Sequence, residues 1–517
     1  MMEFLAEAFA LALSPEVMLF ALIGIGVGVT VGAIPGLSGD MAIAILLPFV
    51  FVMEPAAALG LLVGIYKGSM FGGSISAITF GVPGTAGAAA TVIDGYQAKL
   101  KGQPNRALHT ALYSSIIGDT GSDLVLIFLA LPLAAVALMF GPVEFFALYV
   151  VSLTLVAALT MGKVARGIAA AALGVMLAMI GRDPITGAQR LTFGLPELSG
   201  GIGLVPLLVG VFAVSEIIVQ AGRAWMRRSG REMADITARA EALGYDVSKD
   251  RLDWPTFRAT LKATLLGTGM GTFIGALPGA GASLAAFMSY GVAQRLSRKP
   301  QEFGKGSLEG VAAAEAGNSA TSGSTFIPLF AFGIPGSATA ALFGAALIMM
   351  GITPGPTMIK ENMSLIYALF IMLIYANLFN FCISKLLLPV YSRLAMIRGE
   401  YVLPVVLGLA ILGTFAASNS VKDVWVLLAA GLLGVGLRWF GVPLGPLVLG
   451  FIVGPGLEQS LRQALMLGRN DWTHLVQSPI AIGIYLGTLA ILVGFWLLTR
   501  ARPESADGAA GGGKGAT

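Results

Sequence analysis

Long apolar stretches recur along the whole chain and are separated by short polar segments. Residues 143–161, 164–180, 202–220, 424–440 and 480–498 are examples. A helix needs roughly 20 apolar residues to cross a bilayer, and about a dozen stretches approach that length, several of them interrupted by glycine and proline. The pattern predicts an all-α polytopic membrane protein with about 12 transmembrane or re-entrant segments.

Two pairs of similar strings indicate an internal repeat. Residues 24–36 match residues 267–279 in their glycines and prolines, and residues 80–86 match residues 332–338. Glycine-rich membrane helices can resemble one another by composition alone, but two matched strings in the same order favour a duplicated unit. The prolines and glycines inside the strings predict broken helices in both halves.

Charge predicts how the two halves are oriented. The connection at 222–262 is rich in Arg and Lys, as is the loop after residue 292, so both are expected in the cytoplasm and 263–292 becomes a re-entrant hairpin. The equivalent hairpin at 17–51 is flanked by acidic residues and is expected to open to the periplasm, which makes the repeats inverted. The N-terminus is then periplasmic and the C-terminus cytoplasmic. The predicted divisions are an N-terminal periplasmic or interfacial segment (1–16), the first repeat with following spans (17–221), the basic loop (222–262), the second repeat with following spans (263–499) and a disordered tail (500–517).

Composition agrees with a lipid environment and excludes several function classes. Hydrophobic residues make up 56% of the chain and charged residues 12%, and the mean hydropathy is +0.84. The net charge of +4 comes from loops beside apolar spans, so no nucleic-acid partner is expected. With two histidines, one cysteine and no hydrolase or nucleotide-binding motif, we expect no cofactor and no structural transition metal.

Each half contains two Pro-Gly interruptions, which should end one helix and begin another. In chain order they are Pro35-Gly36, Pro83-Gly84, Pro278-Gly279 and Pro335-Gly336. New helices are expected near Ser38, Thr85, Ser283 and Ser337, whose hydroxyls suit N-cap positions. Helix N-termini present free N–H groups and partial positive charge, so four of them converging near the midplane would form an anion site. Simple helix kinks are the alternative for any single pair. The predicted substrate-binding residues are Pro35, Gly36, Leu37, Ser38, Gly39, Lys67, Pro83, Gly84, Thr85, Pro278, Gly279, Gly281, Ser283, Pro335, Gly336 and Ser337.

Two strings of small polar residues, 68–76 and 317–325, lie between the interruptions. Their oxygens suit a hard cation such as sodium, although hydroxyls that bond back to helix carbonyls are the alternative. The predicted coupling-ion residues, for Na⁺ or H⁺, are Asp40, Ser69, Gly72, Gly73, Ser74, Ser76, Glu315, Asn318, Ser319, Thr321, Ser322, Ser324 and Thr325.

Ionisable residues inside apolar spans are costly and usually functional. Lys67 and Glu315 precede the two polar strings, so they could pair with each other, or Lys67 could meet a substrate carboxylate and Glu315 a cation. Asp119 and Asp123 could lie at a solvated helix end or take part in function, and both readings remain open. Glu309 is expected at the membrane interface.

The strings GAIPGLSG (32–39), YKGSMFGGSISAI (66–78), GVPG (81–84) and GALPGAG (275–281) closely resemble the large membrane subunit, TctA, of the tripartite tricarboxylate transporter family. The resemblance covers about residues 15–500 and is specific, because the strings occur in the right order and at the right spacing.

The resemblance implies two partners in the bacterial inner membrane system: a small four-span membrane subunit (TctB-like) and a periplasmic solute-binding protein (TctC-like). It also implies import of citrate or other small carboxylates by sodium or proton symport. The residues alone favour an inverted-repeat anion transporter. For its mechanism we expect one hairpin-bearing unit to move against a scaffold of the remaining spans, as an elevator. A passive channel and a membrane-embedded metal enzyme using Asp40, Asp119 and Asp123 remain alternatives at this point.

Overall fold

The computed structural model describes residues 2–34, 37–158, 164–183, 186–227, 250–394 and 403–500, and these are almost entirely helical. The helices are α1 Met2–Ala12, α2 Pro15–Ala33, α3 Gly39–Val50, α4 Pro55–Phe80, α5 Ala89–Leu100, α6 Pro104–Ala137, α7 Pro142–Ala158, α8 Val164–Ala178, α9 Leu204–Val209, α10 Ser215–Arg227, α11 Trp254–Gly275, α12 Gly281–Leu296, α13 Leu308–Ser319, α14 Thr321–Ser324, α15 Phe326–Phe332, α16 Ala338–Met349, α17 Met358–Glu361, α18 Met363–Leu394, α19 Leu403–Ser418, α20 Val421–Trp439, α21 Leu444–Leu467 and α22 Pro479–Arg500. A π-helical turn at Gly210–Val214 joins α9 to α10, short 3-10 helices lie at Pro196–Gly200, Pro300–Glu302 and Trp472–Val476, and the strands β1 Gly181–Arg182 and β2 Gln189–Arg190 pair antiparallel.

Six of the described helices are long and apolar enough to cross a membrane, and shorter apolar helices accompany them. The six are Pro15–Ala33, Pro55–Phe80, Pro104–Ala137, Leu204–Gly222, Met363–Val390 and Leu444–Leu467; the shorter ones are Gly39–Val50, Pro142–Ala158, Val164–Ala178, Ala338–Met349, Leu407–Ser418 and Pro479–Gly494. The chain is therefore an all-α, multi-pass membrane protein. The predicted sites Pro35 and Gly36, most of the predicted basic loop (228–249) and the tail from 501 onward lie outside the described residues.

Helices break at the predicted interruptions, but only two of the four predicted starting residues are right. Ser38 Oγ caps α3 by accepting from Met41 N–H at 3.2 Å, and Ser337 Oγ caps α16 by accepting from Ala340 N–H at 3.1 Å. The prediction for Thr85 is wrong, because residues 85–88 form a turn in which Ala88 N–H bonds to the Thr85 carbonyl, and α5 begins only at Ala89. Ser283 lies inside α12, which already begins at Gly281.

The same order of elements occurs in both halves. A helix ends at a break, a second, shorter helix follows, and a polar helical segment then leads to a Pro-Gly interruption. This segment is the single helix α4 in the first half and the three consecutive helices α13 to α15 in the second. The helix before the break packs along the polar helix in each case, α2 along α4 and α11 along α13. Small residues permit this approach: a Cβ on Gly32 would lie 2.7 Å from the Ser69 carbonyl oxygen, and one on Gly271 would lie closer still to the Gly317 carbonyl oxygen.

The two predicted hairpins differ in their packing. Helices α11 and α12 pack against each other, whereas α3 packs mainly against α16 and α19 and touches α2 much less. The reason is that Met41 and Ile45 of α3 join a hydrophobic cluster with Ala410 of α19 and Val209 of α9. Helix α3 therefore packs away from α2, and the described residues beside the break, Ile34 and Leu37, are buried.

Candidate functional site

Residues within two positions of each of the four interruptions line one cavity of about 460 Å³. Of the predicted substrate-binding residues, those that line it are Ser38, Gly39, Thr85, Gly279, Gly281, Ser283, Pro335, Gly336 and Ser337. Of the predicted coupling-ion residues, Asp40, Ser69, Asn318, Thr321 and Thr325 line it as well. The cavity thus brings together residues that are far apart in the chain, from Ser38 to Leu449.

The cavity offers backbone and hydroxyl groups rather than basic side chains. The capped N-termini of α3 and α16, at Ser38 and Ser337, both lie in its wall. Asp40, at the start of α3, accepts a hydrogen bond from Thr339 Oγ1 on α16, so the two halves are joined across the site. Among the described lining residues Asp40 carries the only charged side chain. An anion bound here would be held by N–H and O–H donors and by helix dipoles.

Leu37, Pro83, Gly84 and Pro278, which are also predicted to bind substrate, do not line the cavity. Leu37 is buried in the hydrophobic cluster around α3. Pro83 and Gly84 form the second interruption, where Gly84 N–H donates to the Gly73 carbonyl at 3.1 Å. Pro278 belongs to the third interruption, which is tied to the fourth by Gly279 N–H donating to the Gly336 carbonyl at 2.8 Å. These residues shape the breaks.

Lys67 does not line the cavity, because its side chain belongs to a buried ion cluster. Its ammonium lies between Asp119 and Asp123 of α6, with Nζ 2.6 Å and 2.8 Å from the two Asp123 oxygens and 3.2 Å from Ser322 Oγ. The pairing of Lys67 with Glu315 is wrong for the same reason, because both carboxylates of α6 already surround the ammonium.

This buried ion cluster joins four helices and was not predicted as a unit. Asp119 also accepts from Ser322 of α14, and Asn377 of α18 donates to Asp123 Oδ2 at 2.7 Å. The sequence feature that indicates this cluster is the i, i+4 spacing of Asp119 and Asp123, which places both carboxylates on one face of α6. Lys67 is the cation that could then pair with them. Solvation at a helix end is excluded for both aspartates, since they are buried in the middle of α6.

Most of the predicted coupling-ion hydroxyls are used inside the protein's own helices. Four of them bond back to helix carbonyls at 2.7–3.1 Å, namely Ser69, Ser76, Thr321 and Ser324. Ser319 bonds to Ser115 at 2.6 Å, and Ser322 belongs to the ion cluster. Gly72 and Gly73 are close-packing positions against α2 and Thr85. Ser69, Ser76, Thr321 and Ser324 thus show the bonding to helix carbonyls that the sequence analysis gave as the alternative.

Four predicted coupling-ion residues retain buried oxygens without a hydrogen-bond partner in the part of the chain that the structure describes. They are Ser74 Oγ, Asn318 Oδ1, Thr325 Oγ1 and Glu315 Oε2. The other oxygen of Glu315 accepts from Thr91 Oγ1. Glu309, in contrast, is half-buried at the start of α13 and accepts from Ser297 Oγ at 2.6 Å.

Comparisons with known proteins agree over nearly the whole chain. The sequence model of the tripartite tricarboxylate transporter TctA family matches residues 18–449. A protein of Agrobacterium vitis described as "Uncharacterized 52.8 kDa protein in TAR-I ttuC' 3'region" is 36% identical over 492 residues, which cover 95% of each chain. A second from the same organism, "Uncharacterized protein in TAR-II ttuC' 3'region", is 36% identical over 214 residues, or 41% of this chain and 88% of that one. No solved structure matches the chain significantly. The family match and the full-length relative show that the chain belongs to the tripartite tricarboxylate transporter TctA family.

Proposed function

We propose that the chain is the large transmembrane subunit of a binding-protein-dependent secondary transporter that imports tricarboxylates or related small carboxylates by Na⁺ or H⁺ symport. The observation that carries the proposal is the single cavity to which all four helix interruptions contribute. Broken helices whose N-termini face a shared cavity are typical of substrate sites in secondary transporters. A channel or a metal enzyme has no comparable support from the cavity.

Charge balance favours symport over transport of the anion alone. The cavity wall holds the Asp40 carboxylate and no basic side chain among the described lining residues. A di- or tricarboxylate entering this site would add two or three negative charges to it, at a large desolvation cost. Cations that enter with the substrate remove that cost, and this is the physical reason for coupling.

The arrangement of the repeats supports alternating access. We place the N-terminus in the periplasm, the C-terminus in the cytoplasm and the protein in the bacterial inner membrane, so that the two repeats are inverted. One hairpin-bearing unit would then move against a scaffold of the remaining spans, as an elevator. The matched packing of α2 on α4 and of α11 on α13 is the feature that favours two equivalent units.

Membership of a tripartite transporter family supports the proposal that the chain works with two further proteins. These are a small four-span membrane subunit and a periplasmic solute-binding protein. The binding protein would deliver the carboxylate to the outer face of this chain.

The test is uptake of radiolabelled citrate and dicarboxylates into proteoliposomes that contain the chain, the small subunit and the binding protein. We expect saturable uptake that follows an imposed sodium or proton gradient and requires the binding protein. Uptake that is linear in substrate concentration and independent of both gradients would contradict symport and favour a channel.

A further inference from the structure

Glu315 is a fully buried carboxylate without a compensating positive charge. It lies on α13 with no solvent exposure, and among the described residues no Lys, Arg or His forms an ion pair with it. Thr91 donates to Oε1, whereas Oε2 has no hydrogen-bond partner in the described structure. A buried unpaired carboxylate of this kind is costly unless a cation binds to it.

The buried charged groups on the described helices packed around α13 already have partners. Lys67 of α4 is held between Asp119 and Asp123 of α6. Asp94 of α5 accepts from Tyr290 Oη at 2.9 Å and from two backbone N–H groups of the loop before α13 at 2.7 and 2.8 Å. Lys67, the one cation among these buried groups, is therefore not available to balance the charge of Glu315.

Further oxygens near Glu315 also lack partners. Ser74 of α4 lies beside the Glu315 carboxylate, and its Oγ forms no hydrogen bond with good geometry among the described residues. Asn318 lies one turn from Glu315 on the same face of α13, and its Oδ1 is unpartnered and lies against Gly87 of the cavity wall. Three different side chains thus present unused oxygens in one buried region.

We propose that Glu315, Ser74 and Asn318 form a sodium site adjoining the cavity. A proton on Glu315 would satisfy one oxygen and leave Asn318 Oδ1, which can only accept, without a partner. A sodium ion can coordinate several oxygens of these types at once, which suits a hard cation. Because Asn318 also lines the cavity, the ion would lie next to the substrate carboxylates and neutralise them. This assignment rests on the proposed symport function and names its coupling ion.

The test measures sodium binding separately from transport. The purified full-length chain is heated in detergent at increasing NaCl, with choline chloride holding the ionic strength constant. We expect saturable stabilisation by Na⁺ of the wild type, because a ligand that binds the folded state raises its stability. Glu315→Gln should raise the half-saturating Na⁺ concentration about ten-fold or more, since a loss of about 1.4 kcal/mol is a factor of ten. Glu309→Gln, on the same helix, is the matched control and should respond like the wild type.

An unchanged Na⁺ response in Glu315→Gln would overturn the site, as would a wild type that responds to pH but not to Na⁺. If Glu315→Gln does not fold, the same Na⁺ titration is made with Ser74→Ala, which should also weaken Na⁺ binding. Uptake by the wild type in proteoliposomes is measured alongside. Gradient-driven carboxylate uptake together with Na⁺ binding that Glu315→Gln leaves intact would overturn the site alone. Saturable Na⁺ binding that is lost in Glu315→Gln would support the site even if no carboxylate uptake is observed. The absence of uptake would then count against the proposed function and not against the site.

Discussion

Replacing Lys67 by methionine should destabilise the protein more than any substitution of a surface lysine. Lys67 and Asp123 have fully buried side chains, and the side chain of Asp119 is 2% exposed. Methionine fills a similar volume but removes the only positive charge of the cluster. Two neighbouring buried carboxylates would then remain on α6 without compensation.

The expected loss is about 3–5 kcal/mol, the usual cost of removing one partner of a buried ion pair. The hydrogen bonds from Ser322 to Asp119 and from Asn377 to Asp123 remain in the variant, but they do not supply charge. The triple variant Lys67→Met/Asp119→Asn/Asp123→Asn should recover most of the loss, because neutral amides carry a far smaller desolvation cost than carboxylates.

Unfolding in mixed micelles by titrated SDS, followed by tryptophan fluorescence, measures these differences. The exposed Lys360 provides the control, and Lys360→Met should lie within about 0.5 kcal/mol of the wild type. A loss below about 1 kcal/mol for Lys67→Met would refute the buried ion cluster. A triple variant no more stable than Lys67→Met would refute the argument from uncompensated charge.

Three other predictions concern packing, capping and charge. Gly32→Ala should destabilise the protein and reduce its yield of folded material, because its Cβ would meet the backbone of α4, whereas Gly26→Ala, which has open space, should be tolerated; size-exclusion chromatography after heating compares the two. Ser337→Ala removes the cap of α16 and should cost about 1 kcal/mol while also weakening carboxylate affinity, and the concentration dependence of uptake measures the latter. Asp40→Asn removes the charged lining residue and should lower the number of positive charges moved per substrate, which electrophysiology on supported membranes detects; an unchanged ratio would exclude Asp40 from coupling.

Local chain chemistry made the interruptions predictable. Proline removes a backbone donor and glycine admits unusual dihedrals, so the breaks at Pro83-Gly84 and Pro335-Gly336 follow from composition. The helices before them end at Gly81 and Gly333, with φ of 68° and 73°. The matched order of the strings also indicated that these breaks would be equivalent in the two halves. Their convergence on one cavity agrees with that expectation.

Tertiary contacts decided what the sequence left open. Nothing local distinguishes Ser38, which caps a helix, from Ser283, which lies inside one, because the difference is where the backbone resumes helical geometry after the break. The partners of Lys67 depend on how α4 packs against α6, α14 and α18. Likewise, the polar strings contain many hydroxyls, and only the folded structure separates those that bond to their own helix from Ser74, which does not.

The most direct test of the central claim, that the cavity binds a small carboxylate, is substrate protection of a cysteine placed in its wall. Ser283→Cys is close to isosteric and lines the cavity, and Cys382→Ser removes the exposed native thiol. Glu302→Cys, on the exposed 3-10 helix at Pro300–Glu302, is the control. Maleimide labelling of Cys at 283 should slow as citrate or another transported carboxylate is added in the presence of Na⁺, with no change at 302. Equal labelling rates at 283 with and without every carboxylate that the reconstituted system transports would contradict the assignment of this cavity as the substrate site.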